Sequence, residues 1–60
     1  MNKLYKVSAI LREDGSTVVY YFHDDKKAMI KYNRLQDELT DVVKNVRINL
    51  VNDRGQKTED

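Results

Sequence analysis

Apolar residues recur at every second position from Tyr5 to Leu11, and again from Val18 to Phe22. That period of two is the mark of a half-buried strand. Asp14 and Gly15 lie between the runs, and a two-residue type I′ turn there predicts an antiparallel hairpin. Pairing Glu13 with Ser16 sets Leu11 opposite Val18, Ala9 opposite Tyr20 and Val7 opposite Phe22, with Tyr5 beyond. The other face then carries Ile10 opposite Val19, Ser8 opposite Tyr21 and Lys6 opposite His23, with Leu4 at its end. A slip of one residue would mix the two faces, so the pattern specifies a register.

The period then changes. Ala28, Tyr32, Leu35, Leu39 and Val42 step by four and three, which predicts one apolar stripe on a helix over 26–44, flanked by Met29, Gln36 and Val43. Asp24 or Asp25 suits the first helical amides and the positive end of the dipole. Asn45 is the expected stop. From 45 to 52 alternation returns, with Val46, Ile48 and Leu50 one way and Arg47, Asn49 and Val51 the other. Asn52-Asp53-Arg54-Gly55 reads as a turn. The expected organisation is a single domain over 1–52 and a polar, frayed tail over 53–60.

The predicted fold is α+β, in the order ββαβ. One helix must cover the inner face of a three-stranded sheet, because no other element is there to do so. Placing the third strand beside the first makes every neighbour antiparallel, in spatial order 2-1-3. That order is preferred to 1-2-3, because small antiparallel sheets tolerate a solvated face. The expected core is Tyr5, Val7, Ala9, Leu11, Val18, Tyr20, Phe22, Ala28, Tyr32, Leu35, Leu39, Val42, Val46, Ile48 and Leu50.

Composition narrows the options. A chain of 60 residues buries only about 60% of its unfolded surface. Cysteine is absent and His23 is the one histidine, which removes disulfides, thiolate metal sites and a His pair for zinc. No metal and no cofactor is expected. The formal charge is +1, too balanced for a dedicated nucleic-acid binder or a whole-body mimic of DNA. The longest apolar run, 18–22, is far too short for a membrane span or a signal-peptide core, so a cytoplasmic protein is expected. Burial between two chains would supplement so thin a core, so a homodimer is expected.

No constellation for catalysis is legible. His23 and Ser8 lack an oxyanion turn, the paired carboxylates fit turns, caps or solvated faces, and no glycine-rich phosphate loop is present. The expectation is a non-enzyme. What remains is surface. Leu4, Ile10, Val19, Tyr21 and Val51 are apolar on the outer sheet face, a candidate dimer or second contact face. Ile30 stands opposite the helical stripe among Asn33, Arg34 and Asp37. Lys3, Lys6, Arg12 and Arg47 near Tyr21 leave room for a single-stranded nucleic-acid binder.

Tyr5-x-Val7, Ile10-Leu11, Glu13-Asp14-Gly15, Tyr20, His23, Val42-Val43-Lys44 and Val46-Arg47-Ile48 together resemble the small uracil-DNA glycosylase inhibitors of phi29-like phages. The likeness spans most of 5–51. It implies a ββαβ fold, a homodimer, and occlusion of the DNA-binding face of a host repair enzyme through a hydrophobic groove. Tyr32-Asn33 followed by Gln36 stands where the family's helix carries an aromatic–acidic pair and then a tyrosine. Tyr21 stands near an acidic strand position of the family. The resemblance implies Met29, Tyr32, Leu35 and Gln36 as partner-binding residues. Another phage anti-defence or protein-interaction module on the same scaffold is the alternative reading.

Overall fold

The structure, a computed structural model, describes residues 3–60; the first two residues of the expected 1–52 domain lie outside it. Its elements are β1 (Leu4–Leu11), β2 (Thr17–Phe22), α1 (Asp25–Asp37) and β3 (Val43–Val51). The sheet is antiparallel throughout, in the order β2-β1-β3, so the chain has the α+β, ββαβ fold that its pattern predicts. Helix α1 lies on the inner face. Val7, Ala9, Phe22, Ala28, Leu35 and Val43 form the buried core, with Tyr5, Leu11, Val18, Tyr20, Tyr32, Leu39, Val46 and Ile48 packed against it.

The hairpin register differs from the expected one by two residues. Ala9 opposes Val18, Val7 opposes Tyr20 and Tyr5 opposes Phe22. A shift of two leaves every side chain on its expected face, which is why the core survives it. The cause is the turn. A type I′ turn needs positive φ at both central residues. Here Gly15 has φ +77°, but Asp14 is not in that region. Asp14 instead accepts the Ser16 N–H at 2.9 Å, and the Gly15 N–H reaches Leu11 O at 2.8 Å. These bonds close a wider loop over 12–15.

The helix is shorter than its stripe. It starts as expected, with the Asp24 carboxylate accepting the Lys26 N–H at 2.9 Å. It ends at Asp37 rather than near 44. Thr40, Val42 and Val43 are β-branched and stiff at χ1, which suits a strand better than a helix. The N–H groups of Val42 and Val43 both turn back to Leu39 O, each at 2.9 Å, and β3 begins. Val42, expected in the core, is 50% exposed, and Val43 takes its place at 4%. Asn45, expected to stop the helix, sits within β3 at φ 53°. The β1–β3 register shifts there, between Ser8 and Ile10. The inserted residue lets Val43 and Val46, three apart, both face the core. Leu50 is the other departure. It belongs to the inner face by alternation but is 62% exposed.

The polar tail is tied down, contrary to expectation. Glu59 N–H donates to Tyr21 O at 2.7 Å. One Asp60 carboxylate oxygen accepts both the His23 and Asp24 N–H groups at 2.6 Å, and the side chain is only 8% exposed. The segment after β3 therefore travels to the far edge of the sheet, past the start of β1. Leu4 lies there on the outer face and is fully buried without belonging to the core cluster.

Candidate interaction surface

The sheet has two edges, and hydrogen-bond parity says which groups each one offers. Leu11 N–H donates to Ser16 O across the hairpin, so the odd residues of β1 turn their backbone groups toward β2. Even residues turn toward β3, as Arg12 N–H does in reaching Val42 O at 2.9 Å. Arg47, Asn49 and Val51 oppose those even residues and bond to β1. Val46, Ile48 and Leu50 therefore direct their N–H and C=O groups outward along the free β3 edge. By the same parity Val19 and Tyr21 face outward on β2, where Tyr21 C=O takes the Glu59 N–H.

The helix presents a different flank to each edge. A turn of 100° per residue puts Lys27, Lys31 and Arg34 on the side above β2. They border a shallow depression with Phe22, Ile30 and Glu59. Lys31 Nζ lies 4.2 Å from the centre of the Tyr20 ring, and Arg34 Nε lies 3.5 Å from Glu38. Met29, Tyr32 and Gln36 lie on the opposite side, toward β3, where Gln36 borders a second depression with Val43 and Val46. Gln36 Nε2 donates to Tyr32 Oη at 3.0 Å. The helix runs antiparallel to β3, so Leu50 comes level with the Met29 end. Met29 is 45% exposed. The β3 side thus combines a flank on which Met29, Tyr32 and Gln36 follow Asp25, two exposed apolar side chains, a depression bordered also by Arg12 and Lys44, and a strand edge.

Of the four partner-binding residues implied by the resemblance, Met29 and Gln36 are exposed, Tyr32 is half-buried, and Leu35 is not at the surface at all. Leu35 points between helix and sheet, so its role is to hold them together. The outer-face patch fares unevenly. Leu4 is buried and leaves it, Ile10, Tyr21 and Val51 are half-buried, and Val19 is exposed. The register also breaks up the patch. Ile10 stands between Thr17 and Lys44, Val19 beside Ser8 and Tyr21 beside Lys6. Leu4 and Val51 are the remaining apolar pair. Ile30 is exposed within the basic flank.

His23 is exposed, at 40% of its side chain, and is also engaged. Its Nε2 lies 3.0 Å from Asp53 Oδ2 and its Nδ1 3.9 Å from Asp60. Gly55 N–H first, and His23 second, hold the Asp53 carboxyl below the ordinary 3.8. The Asp24 N–H is the main cause of the lowered Asp60 value. These bonds occupy the cluster in fastening the tail. Sequence reasoning missed Leu50 and the free β3 edge, because alternation assigned Leu50 to the core. The uncharged residues at 29, 32, 33 and 36, against basic residues at 27, 31 and 34, are the signal that could have found that flank, with Asp25 as its one acidic residue at the start of the helix.

No protein-family model matches the chain, and neither the curated proteins nor the solved structures contain a match. Among the described residues no helix is long and apolar enough to cross a membrane.

Proposed function

We propose that this chain is a small protein-binding inhibitor that acts as a homodimer in the cytoplasm of a host cell. Its target in this reading is a DNA-repair enzyme, uracil-DNA glycosylase, which it covers at the DNA-binding face. It performs no chemistry of its own. The reading is supported by one observation above the others: exposed Met29 and Leu50 and half-buried Tyr32 lie beside the outer edge of β3. A target that inserts an apolar side chain into DNA can lodge that side chain on such a surface instead. Anchors that leave water completely dominate interface energy. The ββαβ order, which the resemblance implies, lends further support.

The assay is uracil excision by the glycosylase with increasing amounts of added protein. Excision should stop near a stoichiometric ratio, with no retention of DNA by the protein itself. Met29→Asp, at an exposed position, should keep the far-ultraviolet circular dichroism of the parent and lose inhibition. Undiminished excision in excess folded protein would sink the glycosylase reading in favour of another anti-defence or interaction module. Retention of single-stranded DNA that falls steeply with salt would point instead to the outer face, where Tyr21 stands beside Lys6.

A further inference from the structure

We infer that the depression between α1 and β2, lined by Phe22 and Ile30 and bordered by Lys27, Lys31 and Arg34, docks a short acidic peptide segment of a partner protein, which seats one apolar side chain there. The inference goes beyond the inhibitor reading. It concerns the helix flank turned away from Met29, Tyr32 and Gln36, and it stands whether or not the glycosylase is the target.

Ile30 is 59% exposed in the middle of α1. A β-branched residue loses rotamer freedom in a helix, and from this position it adds nothing to the core. Neither propensity nor folding therefore accounts for it. Phe22, 6% exposed, lines the same depression. The space measures about 240 Å³. Pockets that enclose a small-molecule ligand hold roughly 300–1,000 Å³. A shallow space below that range suits one side chain of a docked segment rather than a whole cofactor.

Charge names the chemistry of the occupant. The chain as a whole carries only +1, yet three cations follow one another along this flank. From Lys27 to Arg34 the helix rises about 10 Å at 1.5 Å per residue. Roughly three extended residues, at about 3.3 Å each, span that distance. Among the described residues, the ion pair on this row is Arg34 with Glu38, 3.5 Å apart and with both side chains more than half exposed. Exposed pairs of this kind are weak and readily exchanged. Lys31 lies over the Tyr20 ring at 4.2 Å, which still leaves its ammonium hydrogens for an incoming carboxylate. Glu59 shows that an acidic residue fits beside these cations: it borders the depression while its N–H is bonded to Tyr21 C=O. A nucleic-acid strand would meet the same three cations but only an aliphatic Ile30 and a nearly buried Phe22, with no exposed ring there on which to stack a base. The row also repels a cationic DNA-binding face. The two flanks of one helix are thus fitted to partners of opposite charge.

The probe is a fluorescein-labelled peptide Glu-Asp-Leu-Glu-Asp, titrated with the full chain and read by fluorescence anisotropy. Its counterpart with glutamine and asparagine in place of the acids should bind at least about tenfold more weakly. Ile30→Gln, at an exposed position, should weaken binding about tenfold, since covering an isoleucine is worth that much or more. Lys27→Glu lies in the first turn, where a carboxylate suits the helix dipole. It should keep the circular dichroism of the parent, weaken the peptide about tenfold and leave inhibition of uracil excision unchanged. Glu59→Gln preserves the backbone bond to Tyr21 and removes the competing carboxylate, so it should tighten binding about threefold. Met29→Asp should leave peptide binding unchanged. A peptide that fails to bind, binding indifferent to Ile30→Gln, or a labelled oligodeoxythymidine held as tightly as the peptide overturns the proposal. Peptide binding without any block of uracil excision would sink the inhibitor reading and leave this site standing. Inhibition without peptide binding would do the reverse.

Discussion

At the β2 edge, Tyr21 C=O holds the Glu59 N–H and three basic side chains stand on the helix flank above. At the β3 edge, Val46, Ile48 and Leu50 keep their outward groups free beneath Met29 and Tyr32. Both edges belong to the same small sheet and are covered by the same helix. The difference lies in what each strand is followed by. β2 runs into the helix cap, where Asp60 can dock on the His23 and Asp24 amides and carry the tail alongside. Among the described residues, β3 has no such neighbour. Natural sheets blunt edges with charge or a covering segment, and this chain uses both on one side. On the other it retains only the bulge at Asn45, with Lys44 and Arg47 on the strand itself. An edge left unpaired and apolar is a surface available for association.

The largest effect should follow from taking the cover away. Removing 53–60 deletes the bonds of Glu59 and Asp60 to Tyr21, His23 and Asp24 and is expected to return the buried Leu4 to water, at about 1.5–3 kcal/mol. Urea denaturation should show that loss. The shortened chain should remain a dimer, because the β2 edge keeps its lysines. Higher oligomers would mean that the tail, and not the charge, separates the two edges.

A somewhat smaller effect is expected at the bulge. Asn45 holds a left-handed backbone conformation at φ 53°, which a β-branched residue resists by about 1–2 kcal/mol. Asn45→Val should lower the melting temperature accordingly, and Asn45→Gly should not. If Asn45→Val melts like the parent, the bulge does not set the register of the β3 edge.

The smallest effect is the pH dependence of the tail. The Asp60 carboxyl titrates below the ordinary 3.8 when folded, chiefly because it accepts the Asp24 N–H. Its contribution is therefore complete above 3.8 and is lost as pH falls through the lower folded value. The Asp53 carboxyl, held down by Gly55 and then His23, follows the same sign. The Glu59 and His23 amide resonances should move together with a midpoint under 3.8, and Asp60→Asn should abolish that step. A midpoint at or above 3.8 would mean that the β2 edge is as free as the β3 edge.

The alternation of Tyr5 to Leu11 and Val18 to Phe22, the stripe through Ala28 and Leu35, and the single return strand were by themselves enough to determine the ββαβ fold, the 2-1-3 order and nearly all of the core. Those features depend on period and on the need to bury one face, both of which are local. Tertiary structure decided the rest. The hairpin register depended on whether Asp14 adopted positive φ, and its bond to Ser16 decided against it. Val42 and Val43 fit a helical stripe equally well until β1 offered Val43 a partner in Leu11. Leu4 and Leu50 alternate correctly, yet one is fully buried and the other is left bare. Periodicity tells a residue which side of its own strand it occupies. What lies above that side is set by segments distant in sequence, and only their packing determines it.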